Sequence, residues 1–144
     1  MKAHHPWRVE SAAFFKNHYS VEERANGLTQ LRVIDRKTGT AEAIKFPDPA
    51  YVVELGTNAE YDTNELRYTY SSLNRPSSTF DYNTATKQST LRKQRETPNL
   101  DPSQYVSERF WAPARDGAQI PVSIVYKKGL AKDGRAPLYQ YGYG

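Results

Sequence analysis

A mainly β fold, built of short antiparallel meanders, is the class this sequence predicts. Three observations carry the prediction: apolar residues recur with a period of two rather than 3.6, clusters of turn formers interrupt them at short intervals, and no segment has helical periodicity. Composition points the same way, because 11 tyrosines in 144 residues and a low leucine content suit half-buried strands better than helices.

From residue 14 onward the alternation is explicit. Tyr19 and Val21 alternate with Ser20 and Glu22, and Leu31 and Val33 alternate with Gln30 and Arg32 on the return. Between them Ala25, Asn26 and Gly27 form a strong hairpin signal, since Asn and Gly accept the positive φ of a tight primed turn. Residues 36–39 make the next turn, and Ile44 with Phe46 marks a further short strand. Pro47 and Pro49 end this meander, as neither can donate to a ladder. In the opening segment, residues 1–10, His4 and His5 read as polar loop residues. His4 and His5 there have no carboxylate or cysteine at ligand spacing and so make no metal site.

A second group repeats the plan. Residues 51–55 are a β-branched and aromatic run; Leu66, Tyr68 and Tyr70 alternate with Arg67, Thr69 and Ser71; Phe80 and Tyr82 do the same; and residues 89–94 form a weaker, more exposed candidate. Turn clusters at 57–63, 74–78 and 83–87 separate them. Two successive four-strand units of about 40 to 45 residues each match the period of propeller blades better than that of a sandwich.

Residues 97–104 have two prolines and no apolar run, so they read as a linker, and a domain boundary is expected near residues 99–105. Longer strands follow it. Residues 106–112 and 121–127 flank an Asp116-Gly117 turn of the primed kind, and a polar loop at 128–135 leads to an apolar run at 136–141, expected to be a strand buried on both faces. The sequence finishes on Tyr141-Gly142-Tyr143-Gly144. A domain does not normally finish on a buried strand and a Gly-rich turn, so a fragment of a longer protein is expected.

Charge excludes little. The net charge of +4 comes from 20 basic and 16 acidic residues interspersed along the chain, which describes a solvated mixed surface. Basic and aromatic residues interleave at 87–95 and 126–128, as in single-strand binders, but these positions read as the wet sides of strands, and no nucleic-acid partner is expected. No run approaches the roughly 20 apolar residues of a membrane span, and the first residues do not resemble a signal peptide; a cytoplasmic location is expected, with a periplasmic one open. The absence of cysteine excludes a disulfide scaffold and thiolate zinc sites. No cofactor is expected.

For catalysis the residues give one pointer. Ser107 and Ser123 alternate within strands without flanking glycines, Asp116 belongs to a turn, and every histidine lies in the first 18 residues, so no Ser-His-Asp triad can be assembled. The terminal Tyr-Gly-Tyr-Gly differs in kind. Glycine lets the backbone turn sharply, so a tyrosine hydroxyl or a neighbouring N–H group can be aimed into a cleft, where it would suit an oxyanion. A plain exit from strand to turn is the bland alternative.

Five stretches, in order and in spacing, resemble the prolyl oligopeptidase family of serine peptidases. They are VEERANGLTQLRVIDRKTG (21–39), DPAYVVELGTN (48–58), LRYTYSSLNRP (66–76), YVSERFWAPARDGAQIPVSIVYKKG (105–129) and APLYQYGYG (136–144); within the family the likeness is to oligopeptidase B. Residues 1–13 lie outside the resemblance, and Pro113 and Gln140 depart from the usual pattern. The resemblance implies a seven-bladed β-propeller joined to an α/β-hydrolase domain: residues 1–103 would be the last blades, with a crossing segment from about 97, and residues 104–144 the first hydrolase strands. It implies that Tyr143 is the tyrosine whose hydroxyl helps hold the oxyanion, that the catalytic Ser, Asp and His lie downstream, and that substrates are short peptides cut after Lys or Arg. On this expectation the fragment alone is inactive. A non-enzymatic β-rich binding module, complete at this length, is the alternative.

Overall fold

The computed structural model describes residues 7–142. His4 and His5 lie outside the described residues. Among the described residues ten strands form three antiparallel sheets. The first runs in the order β1 (Trp7–Phe14), β2 (His18–Ala25), β3 (Leu28–Asp35), β4 (Ala41–Ala43), and the second in the order β5 (Tyr51–Leu55), β6 (Glu65–Ser72), β7 (Arg75–Asn83), β8 (Gln88–Gln94). The third is the isolated pair β9 (Tyr105–Pro113) and β10 (Gln119–Lys127). Helical geometry among the described residues is limited to a 3-10 turn at Pro102–Gln104, capped by the Asp101 carboxylate, which accepts from the Ser103 N–H at 2.9 Å. Among the described residues no helix is long and apolar enough to cross a membrane.

Local chemistry sets the turns. Asn26 and Gly27 both take positive φ, 52° and 76°, so the chain reverses in two residues and the register runs unbroken from Ala25↔Leu28 to His18↔Asp35. The next reversal is held by Asp35, whose Oδ1 accepts from the backbone N–H groups of Lys37 at 2.9 Å and Thr38 at 2.7 Å. These donors lower the Asp35 carboxyl pKa, Thr38 most of all.

Three expectations need correction here. Residues 7–14, ahead of the expected start of strand pattern at residue 14, form β1, paired with β2 from Trp7↔Ala25 to Phe14↔Tyr19, with a bulge between Val9 and Ser11. Ala12 and Ala13 and the bulge blur its alternation. The β3–β4 ladder is made by Ala41–Ala43, and Ile44 and Phe46 follow it, with the Ile44 N–H still donating to the Leu31 carbonyl at 2.9 Å. The turn before β7 is also shorter than the cluster at 74–78 implied, as pairing begins at Arg75↔Ser72.

The first two sheets pack face to face over one core. Leu31 and Val33 from β3, Val53 from β5, Leu66, Tyr68 and Tyr70 from β6, and Tyr82 from β7 are buried together with Phe15 and Ile44. Phe46 crosses from the first sheet into the second, where its ring stacks on Tyr70 at 5.3 Å and tilts against Tyr51 at 4.9 Å. Aromatic pairs of this kind add about 0.5–1.5 kcal/mol beyond the area they bury. The tyrosine hydroxyls reach the edge of the core: Tyr70 donates to Asp48 at 2.6 Å and Tyr68 to Ser89 at 2.9 Å. Burial and the Asp48 carboxylate raise the Tyr70 pKa well above that of free tyrosine.

Polar bonds staple the two sheets at the end where β1 meets β2 and β3 meets β4. Arg36, held within the first sheet by the Phe15 carbonyl at 3.0 Å, donates across to the Tyr61 hydroxyl at 3.1 Å, Lys16 meets Asp62 at 2.6 Å, and Lys87 meets Glu42 at 2.6 Å. On the far face of the second sheet Asp81, 3% exposed, is gripped by Arg67 at 2.8 and 2.9 Å and by Arg92 at 2.7 Å. Four antiparallel strands return a chain to the end it started from. Both sheets obey this, so residue 95 emerges at the end of the Asn26-Gly27 turn, opposite the staples, and β9 and β10 follow there.

Candidate functional site

The hairpin of β9 and β10 precedes the segment that ends in Tyr-Gly-Tyr-Gly. Its ladder is unbroken from Lys127↔Tyr105 to Gln119↔Pro113. The reversal between the strands is a loop over 114–118 rather than the expected tight primed turn. The Ala114 N–H donates to the Ala118 carbonyl at 2.7 Å, the Gly117 N–H to the Ala114 carbonyl at 3.0 Å, and Gly117 takes a φ of 84°. Asp116 has no positive φ; its Oδ1 accepts from the Ala118 N–H at 3.0 Å, a turn role.

The polar loop at 128–135 is tied back onto the hairpin by Glu108. Lys132 donates to both Glu108 oxygens, at 2.8 and 3.1 Å, the Tyr126 hydroxyl donates to the same carboxylate, and the Lys132 ammonium sits 4.4 Å from the Tyr126 ring centroid. Lys132 first, and Tyr126 after it, hold the Glu108 carboxyl below its ordinary pKa. Thus the loop that precedes the terminal segment has a defined anchor.

The terminal segment itself corrects an expectation. Residues 136–142 form no strand, and Leu138, Tyr139 and Tyr141 are 76%, 88% and 76% exposed rather than buried on both faces. The reason is physical: an apolar run becomes a strand when a neighbour takes up its ladder groups, and none of the described strands lies beside this one. Tyr143, the predicted oxyanion donor, lies outside the described residues.

The other catalytic residue types are dispersed. Ser107 sits in β9 and Ser123 in β10, while His18 opens β2 in the first sheet. His18 is 4% exposed and stacks on Phe15 with ring centroids 4.3 Å apart, and burial lowers its pKa, so the imidazole is a neutral core group. Among the described residues no three His, Cys, Asp or Glu side chains are grouped to hold a metal ion. Sequence reasoning missed Arg109, whose guanidinium donates to the Asn26 carbonyl of the first sheet's turn and lies 5.3 Å from the Trp111 ring centroid. The Asn-Gly turn was legible, but a bond across 83 positions leaves no periodic signal.

Consecutive four-stranded antiparallel meanders packed face to face define the class: these are blades of a β-propeller. The model of the prolyl oligopeptidase N-terminal β-propeller domain matches residues 1–95, so the match begins at the first residue, including the stretch expected to lie outside the resemblance. The chain belongs to the prolyl oligopeptidase family. It is 45% identical over 137 residues to dipeptidyl aminopeptidase BI of Pseudoxanthomonas mexicana and 36% identical over 131 residues to protease 2 of Moraxella lacunata, covering 94% and 90% of this chain and 19% of each relative. Among solved structures it is similar to oligopeptidase B from Leishmania major (TM-score 0.75, 30% identity, 89% of this chain and 19% of that one). It shares the fold of oligopeptidase B from Trypanosoma brucei (TM-score 0.78, 23% identity, 89% and 19%). The chain therefore spans about one fifth of the length of the relatives it matches.

Proposed function

We propose that this chain is part of a serine-type oligopeptidase, contributing its last propeller blades (residues 1–103, with the crossing from about 97) and the first strands of its α/β-hydrolase domain (residues 104–144). The observation that carries the proposal is the change at the crossing. The propeller match ends at residue 95 and strand pairing restarts in a separate sheet at Tyr105, while similarity to a peptidase runs over 94% of the chain.

In the proposed reaction a serine supplied downstream attacks a peptide carbonyl and a histidine takes its proton. The Tyr143 hydroxyl, with a backbone N–H, donates to the oxygen on which negative charge develops. The work of the residues in hand is to place Tyr143: the hairpin is a rigid base, and the Glu108 anchor limits where the segment after Lys132 can start. The substrates on this reading are short peptides cut after Lys or Arg, and the triad is absent from this chain, which alone is inactive.

The test uses the protein encoded by the whole reading frame, assayed with fluorogenic peptides carrying Arg, Lys or Pro before the scissile bond and with a dipeptidyl substrate. Cleavage after Arg and Lys, and covalent inactivation by an organophosphate, are expected. Tyr143→Phe should lower kcat by about 10² to 10³ with little change in KM, the cost of one oxyanion donor. Preference for Pro, or stepwise release of dipeptides, would overturn the specificity; a protein that never reacts with the organophosphate would overturn the class.

A further inference from the structure

The geometry points to the Asn26-Gly27 turn as the docking point that holds the β9–β10 hairpin on the first blade, with Arg109 as the positioning residue and the bare Gly27 as its seat. In a two-residue turn the central carbonyls take no ladder bond, which leaves the Asn26 oxygen facing outward as an acceptor. Arg109 fills that position with its Nη2. The guanidinium is restrained from its own strand as well, by the Trp111 ring 5.3 Å away. Register places Arg109 opposite Ser123 and Trp111 opposite Pro121, so Arg109, Trp111 and Pro121 share one face of the hairpin, the face turned to the blade end.

Gly27 makes the contact selective. A Cβ at this position would lie 3.1 Å from Arg109 Nη2, tighter than an ordinary contact, and 3.4 Å from Pro121 Cγ, an ordinary one, so a side chain here presses on the guanidinium that brings the hairpin in. Gly39, in the next turn, has nearly the same φ (73° against 76°) yet a Cβ there would meet nothing within 4 Å. The two glycines thus separate backbone strain, which they share, from docking, which belongs to Gly27 alone. The apolar contact on this side is slight, since Trp111 remains 47% exposed. The bond from Arg109 to the glycine turn then sets the position of the hairpin, and through it the start of everything that follows Lys127.

The chain has no cysteine, so two can be introduced for spin labels without a background: Lys37→Cys on the first blade and Arg115→Cys in the hairpin loop, both exposed positions. Electron–electron distance measurements on the labelled chain should give a narrow distribution. Arg109→Ala should abolish the narrow component, and so should Gly27→Ala, while Gly39→Ala retains it. A narrow component that survives Arg109→Ala overturns the proposal, as does equal broadening by Gly27→Ala and Gly39→Ala. Arg109→Ala leaves both turns untouched, so it decides the matter even where Gly27→Ala fails to fold, and far-UV circular dichroism confirms that the blades persist. The outcome does not depend on peptidase activity and stands or falls separately from it.

Discussion

The blade pair and the β9–β10 hairpin use the same secondary structure to opposite ends. Both are antiparallel ladders of long strands, but in the blades Leu31, Val53 and Leu66 are 0% exposed, whereas in the hairpin Phe110, Trp111 and Ile120 are 47%, 47% and 50% exposed. The difference is the second layer. Each blade face lies against the other, while each face of the hairpin has little over it. Ladder formation therefore does not measure stability; burial of one sheet face against another does. The widest test of the contrast is a matched truncation. Leu66→Ala removes a side chain sealed between two sheets and should cost about 2–5 kcal/mol, read as a fall in the urea midpoint; Ile120→Ala should stay within about 0.5 kcal/mol. Equal losses at the two sites would break the comparison.

A polar test sits on the outer face of the second blade. Asp81 is buried and satisfied by Arg67 and Arg92, and these two, Arg67 first, lower its carboxyl pKa. Asp81→Asn keeps the shape and removes the charge, for an expected loss of about 1–3 kcal/mol near neutral pH. The sign with pH follows from the lowered value. Asp81 contributes in full above its ordinary 3.8 and loses that contribution as pH falls through the folded value, so the wild type and Asp81→Asn should converge in strong acid. Curves that stay parallel would show that the carboxylate is not the source of the difference.

His18 sharpens the contrast at milder pH. Its pKa is lowered by burial, so the folded state binds fewer protons than the unfolded chain; the stability tied to its neutral form is complete above the ordinary 6.5 and declines as pH falls below it. His18→Leu should flatten that decline in thermal melts between pH 6.5 and 5, while the hairpin, which contains no histidine, contributes nothing to it.

What was legible in the sequence follows the same division. Alternation at Leu31 and Val33, and at Leu66, Tyr68 and Tyr70, identified strands with one buried face, and Asn26-Gly27 identified a turn, because these signals are local; alternation at Tyr19 and Val21 found the strand but not its buried side, which is that of His18 and Ser20. Two errors were of opposite kind with one cause. Residues 7–14 carried no recognised strand pattern and are β1, because pairing with β2 defines that strand despite its bulge. Residues 136–141 looked like a buried strand and are exposed and irregular, because no described strand pairs with them. Pattern states which residues are able to form a strand; the presence of a neighbour decides. The candidate site divided likewise. Tyr143 was carried by a motif, whereas Arg109 and its seat at Gly27 exist only once residues far apart in sequence meet.

The smallest expected effect tests whether the blades owe their union to charge at all. Lys87 and Glu42 join the two sheets at 2.6 Å, but both side chains are about half exposed, 49% and 50%, so water screens the pair and ordering both chains costs entropy. Lys87→Met, which keeps the aliphatic stem and removes the ammonium, should destabilise by about 0.2–1 kcal/mol at low salt. In 1 M salt, where the screening length falls to about 3 Å, the difference should shrink toward zero. A loss that survives high salt would trace to the packing of the stem over the blade end. A loss as large as that of Leu66→Ala would mean that the interface between the blades is electrostatic, contrary to the apolar core that separates the blade pair from the hairpin.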